Sequence, residues 1–379
     1  MQIFHNLNID WLGKRKIFYV VSISLFLIGL ISVIVRGFHY GIDFKGGTEI
    51  VMQFQKPVNI SQVRKYVENI GLGTVELKTF GSETGVLLRT ELQNIPRNIF
   101  PKILTNMDQV IQTVAPGVPY KITDSTASSV TYSFANPDTA NEMVEKLSEA
   151  GYQTGKVSEE PSNTQVVVNV SIAEWIKDNL RQKMPDNSFK ILKEDHVGPK
   201  VGNELKTQAL LAVFISLLGI LIYLAFRFKF IFSAGAVLAL FHDTLITLGL
   251  YAALYGVIPG LNLEIDLTVV GAFLTLIGYS VNDTVIVFDR IRENMKIHKN
   301  MPLKEEINMS INRTMSRTIL TAGTVLLAVF VLLIFGGEVL RAFSFTLFFG
   351  TIIGTYSSIF VASALVYEYA ERTKKKIEF

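Results

Sequence analysis

Cysteine is absent from the 379 residues, which excludes a disulfide framework, thiolate zinc sites and cysteine nucleophiles together. Histidine is scarce: His5, His39, His196, His242 and His298 stand scattered, with no metal-ligand spacing among them, and read as surface or capping residues. Charge is scarce too. Charged residues make up 18% of the chain against 49% hydrophobic, and the formal net charge is only +3. That balance suggests a membrane protein and leaves no nucleic-acid footprint. No constellation of nucleophile, base or paired carboxylates supports an enzyme.

What the chain does have is long apolar runs. Residues 17–35 follow the basic cluster Lys14-Arg15-Lys16 and are long enough to span a bilayer; no small-residue cleavage pattern follows, so the run reads as an uncleaved first helix. Five more candidate spans are 208–226, 230–255, 265–288, 318–335 and 343–367. The connections alternate in charge. Arg227 and Lys229, the stretch Arg290 to Arg313, and Arg372 to Lys376 are basic, whereas 256–264 has no base and 336–341 one. Basic loops stay in the cytoplasm. The expected organisation is a cytoplasmic N-terminus (1–16), a first transmembrane helix (17–35), an extracytoplasmic domain (36–206), five further transmembrane helices (207–367) and a cytoplasmic tail (368–379).

Residues 36–206 are of mixed polarity. Alternating runs at 48–54, 86–90, 129–134 and 165–170 predict strands, and 60–70, 98–114, 139–150 and 172–183 predict helices. The order strand, helix, strand, strand, helix, strand occurs twice, offset by about eighty residues. Phe54, Pro57 and Gly71 have counterparts in Phe134, Pro137 and Gly151, and Val86-Leu87-Leu88 in Val166-Val167-Val168. The fold class expected is therefore an α-helical polytopic membrane protein with six transmembrane helices and an α+β domain of two tandem ferredoxin-like βαββαβ units, about 41–124 and 125–196. Coincidence between two ordinary α+β segments is the alternative. Either way, the region reads as a binding or lever domain.

Polar residues inside the spans carry the functional signal. Asp283 lies in the apolar run that starts near Ile265, where a carboxylate opposes insertion by roughly 2.5 to 3.5 kcal/mol at mid-helix and by default marks a functional site. Tyr279, Ser280 and Asp283 share a helical face, so hydroxyl groups flank the acid along a possible proton path. Its other reading is an ion pair that locks helix packing. His242-Asp243 lies well inside the third span, as proton carrier or structural hydrogen bond. Arg317 opens the fifth span with Thr321 and Thr324 on the same stripe, near enough in depth to meet Asp283; a positive-inside anchor is the alternative. At the two edges of the soluble region, Gly41, Gly46 and Gly47, and Gly198, Pro199 and Gly202, read as paired hinges or as plain turns.

Several of these stretches resemble one known family. Gly41-Ile-Asp-Phe-Lys-Gly-Gly47, Val197-Gly-Pro-Lys-Val-Gly-Asn-Glu-Leu205, Phe241-His-Asp243, Gly278-Tyr-Ser-Val-Asn-Asp-Thr284 with Asp289-Arg-Ile-Arg-Glu-Asn294, and Ser316-Arg-Thr318 look like the SecF family of bacterial protein export. The resemblance covers the membrane part and both edges of the soluble region. Its middle, about 125–195, looks like an insertion into a family with a single shorter unit. The resemblance implies a proton-driven auxiliary subunit in the cytoplasmic membrane. It works with SecD, which brings a further intramembrane acid, and acts after the SecYEG channel and the SecA ATPase on an unfolded preprotein. It implies likeness to the resistance-nodulation-division transporters, in which two adjacent acids relay protons; here Asn282 and Asp283 hold those positions, and the proton path falls on Asp283 and Arg317. No cofactor beyond the proton is implied. The alternative is an exporter of small molecules or lipids of that transporter type, which would need about twelve spans in one chain.

Overall fold

The computed structural model describes residues 7–373 apart from 69, 73–74, 127, 151, 159 and 259–260. Gly151 and the tail from 374 onward therefore lie outside the described residues. In chain order the elements are α1 (Arg15–Arg36), the short α2 (Ile42–Lys45), β1 (Gly47–Phe54), α3 (Ile60–Glu68), β2 (Val75–Phe80), β3 (Ser82–Thr90), α4 (Phe100–Val114) and β4 (Tyr120–Ser125). There follow β5 (Ser129–Phe134), α5 (Pro137–Glu149), β6 (Thr154–Lys156), β7 (Gln165–Asn169), α6 (Ile172–Lys183) and β8 (Phe189–Val197). The chain ends with α7 (Pro199–Arg227), α8 (Phe230–Leu254), α9 (Leu267–Ile297), α10 (Leu303–Phe335), α11 (Gly337–Ser357), a π-helical turn (Ser358–Ala362) and α12 (Ser363–Thr373). It forms two compact units, Met1–Phe44 with Asn203–Phe379, and Lys45–Gly202.

Among the described residues, the first unit contains six helices long and apolar enough to cross a membrane. Its pattern is inverted relative to a soluble core. α1 turns Ile17, Val20, Ile31 and Ile34 outward and buries Ser22 and Gly29. Lipid tails are as apolar as leucine, so helices associate through close packing of small residues and through polar contacts. A Cβ on Gly249 of α8 would stand 2.7 Å from Gly29 Cα, so only paired glycines allow this approach of α1 to α8. Two turns earlier on each helix, His242 Nε2 meets Ser22 Oγ at 2.9 Å.

The ends of α9 and α10 differ from expectation. The basic stretch Arg290 to Arg313, read as a loop, is helical except at 298–302. Charge marks departure from the hydrocarbon, not the end of a helix. Ile291, Ile307 and Ile311 keep an apolar stripe buried beyond that point, and Asn294 donates to Ser310 at 2.6 Å between the two helices. The segment before α1 lies against this extension. Asn308 Oδ1 accepts from the Leu12 N–H at 3.0 Å, and Asn312 accepts from Trp11 Nε1 at 2.8 Å while donating to the Ile9 carbonyl at 3.0 Å. Lys304 and the Gly13 N–H hold the Asp10 carboxyl at about 2, below the ordinary carboxylate range.

The second unit has the two rounds of strand, helix, strand, strand, helix, strand that the sequence predicts, but the sheets do not divide at residue 125. One sheet has the order β2-β3-β1-β8 and the other β4-β5-β7-β6, all pairs antiparallel. The last strand of each round thus completes the sheet of the other. The helices follow their strands: α6 packs on α3 and α4 on α5. The physical reason is connection length: β4 and β5 are separated only by 126–128, so they close as a hairpin, and β8 is left to pair with β1. The boundaries of about 41–124 and 125–196 therefore describe the sequence repeat and not the folded sheets. Because the chain lacks cysteine, the exchange is open to direct test. Gln53 and Lys190 are register partners, so Gln53→Cys with Lys190→Cys is expected to form a disulfide under mild oxidation and Gln53→Cys with Lys121→Cys to stay reduced. The reverse pattern would restore the tandem arrangement.

The two sets of strands are joined by a half-buried acid. Asp178 of α6 accepts from Tyr152 Oη at 2.8 Å and from Asn106 Nδ2 of α4 at 2.8 Å. Burial raises the Asp178 carboxyl above its ordinary range despite these donors, and burial with the neighbouring carboxylate raises the Tyr152 phenol, which stays a donor. An acid whose pKa is higher folded than unfolded binds its proton more readily in the folded state. Its folded form gains stability as pH falls from neutrality, and the gain levels off below the unfolded value. Asp178→Asn cannot titrate. In denaturant unfolding of residues 36–206, wild type should gain on this variant as pH is lowered; parallel profiles would contradict the assignment.

Candidate functional site

Among the buried acids in the described residues of the helical unit, Asp243 and Asp283 are each 1% exposed, and their surroundings differ. Asp243 of α8 is saturated. Its Oδ2 accepts from Ser280 of α9 at 2.6 Å and from Ser357 of α11 at 2.8 Å, and its Oδ1 is 2.9 Å from His242 Nδ1. Gly354 makes room for this: a Cβ there would stand 3.0 Å from Ser280 Oγ and 3.5 Å from Asp243 Oδ2. The network continues outward from the ring, for Ser22 Oγ also meets Tyr356 Oη at 2.6 Å, and Tyr356 donates to the Phe18 carbonyl at 2.6 Å.

Asp283 of α9 is nearly bare. Thr355 Oγ1 donates to its Oδ2 over a long 3.4 Å, and its Oδ1 has no hydrogen-bond partner. A buried charge without an opposite charge is costly, so such an acid needs either a proton or a cation brought to it. Arg317 is not that cation in this arrangement. No ion pair joins it to Asp283 among the described residues, and it is exposed. The buried stripe of α10 runs through Ile307, Ile311, Thr314, Thr318 and Ala322, which leaves Arg317 beside Thr321, whose hydroxyl donates to the Arg317 carbonyl at 3.0 Å. Asn282 is likewise exposed, one position off the buried stripe Ser280, Asp283, Thr284 and Val287 of α9.

Of the residues singled out from sequence, Asp243 and Ser280 are thus brought together, whereas Ser280 serves Asp243 and not Asp283. Among the described residues, Asn282, Arg317 and Thr321 make no hydrogen bond or ion pair to either carboxylate, although Arg317 lies near enough to Asp283 to attract its charge. The Asp243 network also draws in Ser22, Tyr356 and Ser357, which the sequence did not single out. The signal available for two of them was the small polar run Gly354-Thr-Tyr-Ser-Ser358 within an otherwise apolar span. Among the glycines, Gly46 and Gly47 have φ of 75° and 114°, values that disfavour any other residue. A Cβ on Gly46 would meet Pro199 Cα and Val197 O at 3.1 Å, so this turn touches the Gly198-Pro199 turn directly. Gly202 lies in the first turn of α7, its N–H bonded to the Gly198 carbonyl at 2.8 Å. Gly41 is tied instead to the helical unit, its N–H donating to the Ile265 carbonyl at 2.9 Å.

Comparison with known proteins agrees with the motifs. Residues 176–372 match the family described as protein export membrane protein SecD/SecF, C-terminal, and residues 31–58 match the SecD/SecF GG motif. Protein translocase subunit SecF of Rhodothermus marinus is 39% identical over 373 residues, which is 98% of this chain and 96% of the relative. The SecF of Koribacter versatilis is 36% identical over 98% of this chain and 94% of its own length. Alignment through nearly the whole of both chains means that residues 125–195 are not an insertion relative to these proteins, contrary to expectation. The crystal structure of SecDF from Thermus thermophilus is similar over 97% of this chain, at a TM-score of 0.65 and 26% identity. A second SecDF structure, in a form called super-membrane-facing, gives a TM-score of 0.58 at 27% identity over 99% of this chain. This chain spans 39% and 40% of those two longer chains. On motif content, full-length similarity and shared architecture, the chain belongs to the SecF family of protein translocase subunits.

Proposed function

We propose that this translocase subunit works with SecD and uses the proton gradient to help complete preprotein translocation, with Asp283 as the group that takes up and releases the proton. The observation that carries the reading is the state of Asp283, a 1% exposed carboxyl within a membrane-spanning helix with one oxygen unpartnered. A structural acid would be saturated, as Asp243 is. In this reading Arg317 and Asn282, exposed on the faces of α10 and α9, await groups from a partner, and Arg317 approaches Asp283 in one stage of a cycle. Both termini and the extensions of α9 and α10 face the cytoplasm, and the unit Lys45–Gly202 lies on the far side, where the adjoining turns at Gly46 and Pro199 let it swing. SecYEG, SecA and the unfolded preprotein are its proposed surroundings, and its role is transport rather than catalysis. Membership in the SecF family favours this over a small-molecule or lipid exporter.

Asp283→Asn preserves size and hydrogen bonding but cannot cycle a charge. Gradient-dependent preprotein release should be lost in this variant while membrane level and co-purification with SecD persist. Loss of assembly would instead mark Asp283 as one half of a packing ion pair, at roughly 3 to 5 kcal/mol for stranding its partner; undiminished release would eliminate it as the carrier. Arg317→Lys should retain more release than Arg317→Ala if charge is what matters, and equal loss would point to the forked guanidinium. For orientation, a reporter near Asn163 should register the far side and one near Lys299 the cytoplasm; a cytoplasmic signal at Asn163 would overturn the topology.

A further inference from the structure

The hydrogen bonds around His242 fix where its protons are. Tyr356 Oη lies 2.6 Å from the Phe18 carbonyl and 2.6 Å from Ser22 Oγ. A carbonyl only accepts, so the single phenolic proton goes to Phe18, and Tyr356 must receive from Ser22. The single Ser22 proton is thereby used. Ser22 Oγ can only accept at its other contact, 2.9 Å from His242 Nε2, so Nε2 carries a proton. What remains is the 2.9 Å contact between His242 Nδ1 and Asp243 Oδ1. If Nδ1 were bare and Asp243 ionised, two lone pairs would face each other. One proton must lie between them.

We infer that His242 and Asp243 form a proton-holding pair, a second proton site in the helical unit separate from Asp283. The shared proton sits on Nδ1, giving imidazolium and carboxylate, or on Oδ1, giving neutral ring and neutral acid. The pair is uncharged in both forms, which is how an acid 1% exposed remains in the membrane without a lysine or arginine. The groups facing it from each packed element are Ser22 of α1, Ser280 of α9, and Tyr356 and Ser357 of α11; Tyr356 is the titratable one, and no further charged side chain bonds to the pair among the described residues. A proton shifted from Oδ1 to Nδ1 changes neither net charge nor bond count, whereas removing it leaves a repulsive contact. The pair's use in transport rests on the proton-coupled reading above, but its existence does not.

The test is nitrogen-15 NMR of the full chain in lipid, labelled at histidine, with His242 assigned by loss of its signals in His242→Gln. The expected result is a wild-type ring with Nε2 protonated. In Tyr356→Phe, which removes the acceptor for Ser22, the ring should be freed to adopt the Nδ1-protonated neutral tautomer. A bare Nε2 in wild type, or a ring whose protonation is the same in wild type and Tyr356→Phe, would overturn the pair. Failure of gradient-dependent release to respond to Asp283→Asn would overturn the coupling while leaving this spectrum unchanged, so the two claims fail separately.

Discussion

The helical unit is governed by the cost of polar groups in hydrocarbon. With no water to satisfy them, side chains such as Asp243, Ser280, Thr284, Ser357 and Ser358 must find partners inside the bundle, and they are buried there while leucines and isoleucines face outward. Glycines make this possible. Gly29 against Gly249 draws α1 onto α8, which delivers Ser22 to His242, and Gly354 lets Ser280 reach Asp243. The π-helical turn Ser358–Ala362 follows directly on Ser357 and places Phe360 in a 3.5 Å stack with Phe18, so the segment that binds Asp243 also anchors the base of α1. π-helical turns of this kind are frequent at functional sites.

Against that rule the two carboxylates divide the work. Asp243 is saturated by three partners, Ser280, Ser357 and His242, and suits a group that holds a proton. Asp283 has a long contact to Thr355 and an open oxygen, and suits a group that exchanges one. Ser280, on the same helix as Asp283, donates to Asp243 instead. The exposed Asn282 and Arg317 are polar surface that lipid would not favour, consistent with a chain that completes its membrane face with a partner.

Much of this was legible in the sequence, and the misses have common causes. Local periodicity located the helices: 172–183 was expected and Ile172–Lys183 observed, and 230–255 became Phe230–Leu254. It could not tell which round supplies the closing strand, because both rounds carry the same local pattern and only pairing distinguishes β4 from β8. Spacing placed Ser280 on the face of Asp283, correctly, yet could not show that its hydroxyl reaches across to α8. Ser22 and Tyr356 are 334 residues apart in sequence, beyond any local signal. Depth along the span brought Arg317 near Asp283, but the angular position on α10, set by the Ile307 to Ala322 stripe, turns it outward.

The central claim is that one of two equally buried acids exchanges a proton and the other holds one. The most direct measurement is infrared difference spectroscopy of the full chain in lipid on a change of pH, following the protonated carboxyl band in wild type, Asp283→Asn and Asp243→Asn. The account predicts a band that appears and disappears with pH in wild type and in Asp243→Asn, and is lost in Asp283→Asn. A pH-dependent band that survives in Asp283→Asn and vanishes in Asp243→Asn would contradict it.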